Sequence, residues 1–429
     1  MNSSIPPAAD HTLHPAEVWD ELLRAQLEKK PNLAENFLAE VRAEKLTFGN
    51  RVHCPFLRPY FISLQDEARV RKVAETIAAI AEKVTKAALE NKNLFAQFHL
   101  RPEEERLARM PAGAGPASTA SRLDSFLLPD SLKFAEYNGE SPAGPGYSET
   151  ISEIFRGLPM MKDFAKGFEV HAYPLSAKLL DALVQTYVDW GGASKRPQMV
   201  ITDWRGVPTW SEFEILKARF EKLRVPVVLA TPEELDFDGK RLAAKGKKID
   251  LVYRRVLIND IVAKPKECAA LVNAYEAGAV CVANNFRCKI PHVKTFFAVL
   301  TDPQNASLFS AAERGVIREH IPWTRVVHDK KSDYNDKPIE LLKYIRENQQ
   351  SLVLKPSDEY GGMGVTLGWD VDAAKWDNAI QQALPGGKLA GFLTRMSSTG
   401  LANVTSGGGQ IPAFRVEPKK AGKASKAAN

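Results

Sequence analysis

Four residues whose types suit metal and anion binding occur close together in the first third of the sequence: Arg122, Asp124, Glu136 and Asn138. Side chains at positions i and i+2 of a strand share a face, so residues 122–138, folded as a β-hairpin, would present all four together. Two carboxylates and an amide oxygen are ligands that Mg²⁺ prefers, and a neighbouring arginine could hold an anionic group. The alternative is a solvated strand face with arginine–carboxylate pairs.

A lysine and a group of glycines form a second candidate site late in the chain. Lys355 ends an apolar strand-like segment and is followed by Gly361, Gly362 and Gly364. A buried lysine is costly unless it meets an anion, and glycines let backbone N–H groups approach a phosphate closely. The lysine precedes the glycines, so the segment is neither a Walker loop nor a dinucleotide fingerprint. A plain hairpin loop with an exposed lysine is the alternative.

Two further cations are weaker candidates. Lys294 lies near the start of an apolar helix, where a lysine usually extends its ammonium to solvent. Arg395 precedes a glycine-rich segment at 403–409, which could bind a phosphate or a carboxylate, or could be a surface loop. Cys288 lies near His292 without a third, orienting group, so a cysteine nucleophile is disfavoured. No histidine or cysteine spacing indicates a zinc site.

The elements that must position these residues follow from the apolar patterns. Residues 1–115 show helical periodicity, and 122–138 has the pattern of a hairpin. From 168 to 285, strands alternate with helices, which indicates βαβ units and a mostly parallel sheet. Segments 389–396 and 411–416 are predicted as closing strands. The sequence therefore predicts an α/β fold.

Composition limits the classes of protein. The 429 residues, 44% of them hydrophobic and 26% charged, are typical of two or three globular domains. No apolar run is long enough to span a membrane. The four cysteines lack paired spacing, which favours reduced thiols in a cytoplasm. The net charge of +6 is concentrated in a basic tail from Lys419, for which a solvated terminus is favoured over nucleic-acid binding.

In their order along the chain, the motifs resemble those of circularly permuted ATP-grasp proteins, specifically the type 2 and glutathionylspermidine-synthetase-like families. The resemblance implies an ATP-grasp core with a pre-ATP-grasp-like parallel-sheet domain and an N-terminal helical region. The matching stretches are 122–124, 136–142, 293–295, 354–356 with 361–365, and 393–409. The implied regions are 1–115 (helical), 116–167 (metal-binding hairpin and loop), 168–288 (Rossmann-like), 289–417 (lysines, glycine loop and closing strands) and 418–429 (disordered tail).

The resemblance also implies roles and a reaction. Members of these families use ATP and Mg²⁺ to convert a carboxylate into an acyl phosphate, which an amine then attacks to give an amide and ADP. Such chemistry needs charge neutralisation and positioning more than a covalent nucleophile. The implied roles are Mg²⁺ binding by Asp124, Glu136 and Asn138, ATP phosphate binding by Lys294, Lys355 and the loop with Gly361, Gly362 and Gly364, and contact with the acyl phosphate or carboxylate by Arg122, Ser141 and Arg395.

One departure from the family pattern follows the helix that ends at Leu384. Residues 385–387 lead straight to 388–391, without the hinge strand that holds adenine in relatives. Loss of this segment would impair ATP binding and leave an open sheet edge, unless a second chain covers it. Two functions follow as expectations: a cytoplasmic ligase of small-molecule carboxylates and amines, or a non-catalytic scaffold of the same fold. A homo-oligomer is compatible with either.

Overall fold

The N-terminal part of the chain is built from amphipathic helices, as the spacing of its apolar side chains predicts. Its longest helix spans Leu64–Glu90, and Ser63 caps it by accepting a hydrogen bond from the Asp66 amide. The computed structural model describes residues 14–111, 113–359, 364–384, 389–392 and 409–419. The elements of this part are α1 (Pro15–Lys29), α2 (Leu33–Ala43), β1 (Thr47–Phe48), β2 (Arg51–Val52), β3 (Tyr60–Ile62), α3 (Leu64–Glu90), α4 (Lys92–Ala96) and α5 (Pro102–Arg109).

Two antiparallel strands, β4 (Arg122–Leu128) and β5 (Ser131–Asn138), form the hairpin that the sequence predicts. Asp124 lies directly opposite Glu136, and the pairing becomes irregular between Asp124 and Ser125. Leucine and phenylalanine side chains on one face of the hairpin pack against α3 and the helices that follow residue 288. The opposite face is therefore free to present the polar residues.

A loop after the hairpin leads into two helices and a strand: α6 (Pro145–Gly157), α7 (Pro159–Gly167) and β6 (Phe168–His171). Gly144 precedes α6 with a φ of 136°, a conformation that residues with a side chain rarely adopt. The carboxylate of Glu212 accepts a hydrogen bond from the Gly144 amide at 2.6 Å. The backbone conformation of Gly144 and its hydrogen bond to the buried Glu212 thus fix the end of the loop.

A four-stranded parallel sheet forms the centre of the next part, in the order β13–β12–β7–β8. Helices cover both of its faces, so strands β7 and β12 are buried at every position. This sheet confirms the predicted α/β class. The elements are α8 (Leu175–Trp190), β7 (Met199–Thr202), α9 (Trp210–Lys222), β8 (Val227–Ala230), the antiparallel strands β9 (Leu235–Phe237), β10 (Leu242–Ala244) and β11 (Lys247–Lys248), then β12 (Leu251–Arg254), α10 (Ile258–Ala263), α11 (Ala269–Glu276) and β13 (Cys281–Ala283).

The remaining elements build a second sheet, antiparallel, in the order β14–β19–β17–β18. The last strand of the described residues, β20, belongs to a different sheet, in which it lies between β3 and β6. The elements are α12 (Lys289–His292), α13 (Thr295–Thr301), α14 (Ala311–His320), β14 (Thr324–Val326), β15 (Lys331–Tyr334), β16 (Lys337–Glu340), α15 (Leu341–Glu347), β17 (Leu352–Lys355), β18 (Thr366–Leu367), α16 (Ala373–Ala383), β19 (Leu389–Phe392) and β20 (Ala413–Pro418).

Three local expectations differ from the structure. The apolar helix predicted around Lys294 is instead two helices, α12 and α13, and Lys294 lies between them. The two predicted closing strands belong to different sheets. Strand β19 lies between β14 and β17, so the open edge expected after the shortened segment is not at Leu389–Phe392. The reason is that both neighbours pair with β19 through backbone hydrogen bonds.

Candidate active site

The polar face of the hairpin holds two carboxylates that face each other across the strands. The guanidinium of Arg122 donates two hydrogen bonds to Asp124, at 2.8 and 3.3 Å. Asn138 donates its amide N–H to Glu136 Oε1 at 2.9 Å. Burial raises the pKa of Asp124, and the charge of Glu136 adds to this effect, while Arg122 opposes it. The four predicted residues therefore form one cluster, in which Arg122 pairs with Asp124 and Asn138 donates to Glu136.

Two lysines from distant segments reach this cluster. Lys294 Nζ lies 3.7 Å from Glu136 Oε2 and, although burial opposes ionisation of Glu136, this ammonium lowers the pKa of the carboxyl. Lys355, at the end of β17, donates to the Ala135 carbonyl at 3.4 Å. Burial lowers the pKa of Lys355, and the structure shows no carboxylate within 4.0 Å of its ammonium among the described residues. The structure thus places both lysines beside the acidic pair.

The other predicted residues fall in three places. Ser141 donates its hydroxyl to the Arg255 carbonyl at 2.9 Å, on the side of the loop that faces the parallel sheet. Gly364 has a φ of 68°, and a Cβ there would approach Pro356 Cγ to 2.7 Å, so this position requires glycine. Gly361, Gly362 and Arg395 lie outside the described residues.

A buried group of charges behind the hairpin was not predicted. Glu140, 1% exposed, lies 3.2 Å from Arg254, 3.6 Å from Lys289 and 3.5 Å from His292. Although burial opposes its ionisation, the neighbouring Lys289, His292 and Arg254 side chains lower the pKa of Glu140 to about 2. The one sequence signal was the position of Glu140, two residues after Asn138. Its partners come from other elements, so no local spacing identifies them.

The carboxyl edge of the parallel sheet carries a buried carboxylate without an ion-pair partner and two polar groups without hydrogen-bond partners among the described residues. Asp203 follows β7 and is 7% exposed; it accepts a hydrogen bond from the Trp204 amide, and burial raises its pKa to about 6. Among the described residues, no cation lies within 4.0 Å of it. The buried Thr202 hydroxyl and Trp204 indole N–H also lack hydrogen-bond partners. Because β8 and β12 flank β7 on opposite sides, this is the switch point where open α/β sheets bind ligands.

The described residues offer neither a metal centre built from acidic, histidine and cysteine side chains nor a membrane-spanning helix. Among the described residues, no group of three or more histidine, cysteine, aspartate or glutamate side chains has the geometry to hold a metal ion. Within the same residues, every helix is too short or too polar to cross a lipid bilayer.

Comparison with known proteins gives a fold. No family model and no curated protein matches the sequence. The structure is similar to the apo form of a glutathione synthetase-like effector from Globodera pallida, with a TM-score of 0.54 and 12% sequence identity over 91% of this chain and 84% of that chain. Identity this low supports a shared fold alone, and the circular permutation stays a prediction. The chain therefore has a mixed α/β fold similar to that of the glutathione synthetase-like effector.

Proposed function

We propose that this protein is an ATP-dependent carboxylate–amine ligase that works through an acyl phosphate. The observation that supports this most is the meeting of Asp124 and Glu136 with Lys294 and Lys355, because the two pairs come from segments far apart in sequence. Carboxylate and amide oxygens beside ammonium groups are what a magnesium-bound phosphate requires, and Lys355 has no carboxylate within 4.0 Å among the described residues. The residues present therefore fit Mg²⁺ and ATP phosphates.

The chain's own groups have distinct tasks in this proposal. Mg-ATP, when bound, supplies the phosphoryl group that activates the carboxylate. Asp124, Glu136 and the Asn138 amide would hold the metal, which requires Asn138 to turn its oxygen rather than its N–H toward the cluster. Lys355 would neutralise a phosphate, since it has no carboxylate partner among the described residues. Arg122 would then exchange part of its pairing with Asp124 for the anionic acyl phosphate.

The substrates would lie between the hairpin and the carboxyl edge of the parallel sheet. Ser141 and Arg122 face this region, because the first bonds to Arg255 and the second to the Ala143 carbonyl at 3.0 Å. The unpaired Asp203 carboxylate offers a partner for an ammonium group of the amine substrate. Roles for Gly361, Gly362 and Arg395 in closing the site, and the five-region division of the chain, are part of the same proposal.

Nucleotide binding and turnover test the proposal in two steps. Isothermal titration with Mg-ATP should show binding, and hydroxylamine added with a panel of carboxylates should trap the acyl phosphate as a hydroxamate while ADP is released. Lys355→Met and Glu136→Gln should each reduce turnover by at least about a hundredfold, as removal of one preorganised charge does elsewhere. Lys343→Met is the matched control, because that lysine is 72% exposed.

The outcomes separate the two functions that the sequence leaves open. Loss of turnover in both site variants with a normal Lys343→Met variant would support the ligase. Mg-ATP binding without ADP release over the whole panel would favour a non-catalytic scaffold of this fold. An absence of Mg-ATP binding in the parent protein would refute the proposal.

A further inference from the structure

A buried lysine outside the proposed binding residues joins the two segments that carry them. Lys289 is fully buried, and its ammonium lies 2.7 Å from Asp358 and 3.6 Å from Glu140. Asp358 comes three residues after Lys355, and Glu140 comes two residues after Asn138. We propose that Lys289 is a positioning residue that fixes residues 356–359 against the acidic hairpin and so presets the phosphate site, an inference that rests on the proposed function.

Lys289 belongs to a cluster of ion pairs in which the numbers of positive and negative side chains are equal. A third carboxylate, Glu104, lies 3.5 Å from the same ammonium and pairs with Arg101 at 2.8 Å. Arg254 pairs with Glu140 at 3.2 Å. Three carboxylates thus meet three cations. A buried ion cluster adds little net stability compared with apolar packing, so the effect that we assign to this cluster is to hold residues 356–359 in place.

The segment held by Lys289 also touches the proposed phosphate lysine directly. The backbone N–H of Lys294 donates to the Ser357 carbonyl at 2.8 Å, and the Lys294 ammonium bonds to the Glu359 carbonyl. His292 Nε2 lies 3.7 Å from Asp358. Release of Asp358 should therefore free the segment and expose the Lys294 amide, which makes that amide a reporter of docking.

The consequence for nucleotide binding is an effect on affinity. When only a fraction of molecules has the segment docked, the apparent Kd is the intrinsic Kd divided by that fraction. Saturating ATP restores docking by mass action, so the maximal rate is preserved. A residue with a merely structural role would lower the amount of active protein instead, which reduces kcat at an unchanged KM.

Asp358→Asn is the variant that tests the inference, because this side chain is 24% exposed. Its replacement leaves Lys289 paired with Glu140 and Glu104, whereas replacement of Lys289 would leave buried carboxylates without that cation. Asp370→Asn, an exposed aspartate beyond the same loop, is the matched control. Hydrogen exchange of the Lys294 amide, measured without nucleotide, should accelerate several-fold in Asp358→Asn alone. The KM for ATP should rise about tenfold with kcat within about twofold, as the docking equilibrium requires, and Asp358→Glu should recover part of the affinity.

The exchange measurement decides the inference independently of catalysis. Unchanged exchange at Lys294 in Asp358→Asn would overturn it, and so would a fall in kcat at constant KM. Lys289→Met, if it folds, should match Asp358→Asn in exchange, and protection equal to that of the parent would also overturn it. A parent protein that does not bind Mg-ATP would refute the proposed function, while the exchange data would still show whether Lys289 couples the two segments.

Discussion

At the scale of single residues, the ionised carboxylate of Asp203 destabilises the folded state. It is buried, it lacks a cation partner among the described residues, and its pKa is raised to about 6. An aspartate carboxyl in an unfolded chain has a pKa of about 3.9, so Asp203 binds a proton more tightly in the folded state than in the unfolded state. Such a destabilised group is typical of a site that a ligand completes.

Replacement of Asp203 by asparagine should therefore stabilise the protein in a pH-dependent way. Below about pH 4 the carboxyl is protonated in both states and costs nothing; the cost grows as the pH rises to about 6 and is complete above it. Asp203→Asn should increase the free energy of unfolding by up to about 3 kcal/mol at pH 8 and leave it unchanged near pH 4. Urea unfolding at both pH values measures this.

The exposed Asp236 provides the control, since Asp236→Asn should have no effect at either pH. A loss of stability at pH 8 in Asp203→Asn would show that the carboxylate has a favourable partner in the fold. If the proposed substrate site is correct, the stabilised variant should also have a higher KM for the amine, the exchange of stability against activity seen at functional sites.

At the scale of elements, the loop between the hairpin and α6 depends on one backbone conformation. Gly144 has a φ of 136°, and its amide donates to the buried Glu212. Gly144→Ala should lower the free energy of unfolding by about 1–3 kcal/mol, because alanine is strained at this φ although space for a methyl group is available. Chemical denaturation of the variant measures the loss.

The other end of the same helix gives a matched control. Gly157 ends α6 without a positive φ, and nothing lies within 4 Å of a Cβ added there. Gly157→Ala should change stability by less than about 1 kcal/mol, and in the stabilising direction. Equal effects of the two alanines would mean that the conformation of Gly144 does not hold the loop.

Elements also show what the sequence could predict. The hairpin residues Asp124 and Glu136 were predictable because alternation along a strand is a local rule. The break at Lys294 was not, since an apolar run after it continues the helical pattern; its amide bonds instead to Ser357, far along the chain. The three-residue strand Thr324–Val326 was also missed, because so short a segment lacks a measurable period.

The candidate site also contains residues that the sequence could predict and residues that it could not. Its two hairpin carboxylates and Lys355 carry signals of residue type and spacing. Its supporting charges do not, because the contact of Arg254 with Glu140 joins residues 114 positions apart. A buried arginine at the end of an apolar strand suggests a partner without identifying it. Tertiary structure alone supplies that information.

At the scale of the whole molecule, strand β20, late in the described chain, pairs with β3 near its beginning and with β6. Phe414 is fully buried between β3 and β6, among the aromatic side chains of the N-terminal core. Phe414→Ala should lower the free energy of unfolding by about 3–5 kcal/mol, the usual cost of removing a buried phenyl ring. Guanidinium unfolding monitored by circular dichroism measures this loss across the molecule.

Ile411 is 36% exposed just before the same strand, so Ile411→Ala should cost less than about 1 kcal/mol. A similar, small effect of Phe414→Ala would indicate that β20 is not part of the cooperative unit. A large effect would show that the N-terminal helices and the C-terminal strand unfold together.

The parallel pairing of residues 60–62 with 413–415 has a consequence for biosynthesis. As the polypeptide leaves the ribosome, β3 and β6 emerge long before the strand that must insert between them. Until residues 413–418 have been translated, both present unpaired backbone groups and apolar side chains to the cell. Nascent chains halted before residue 413 should therefore be preferred clients of molecular chaperones.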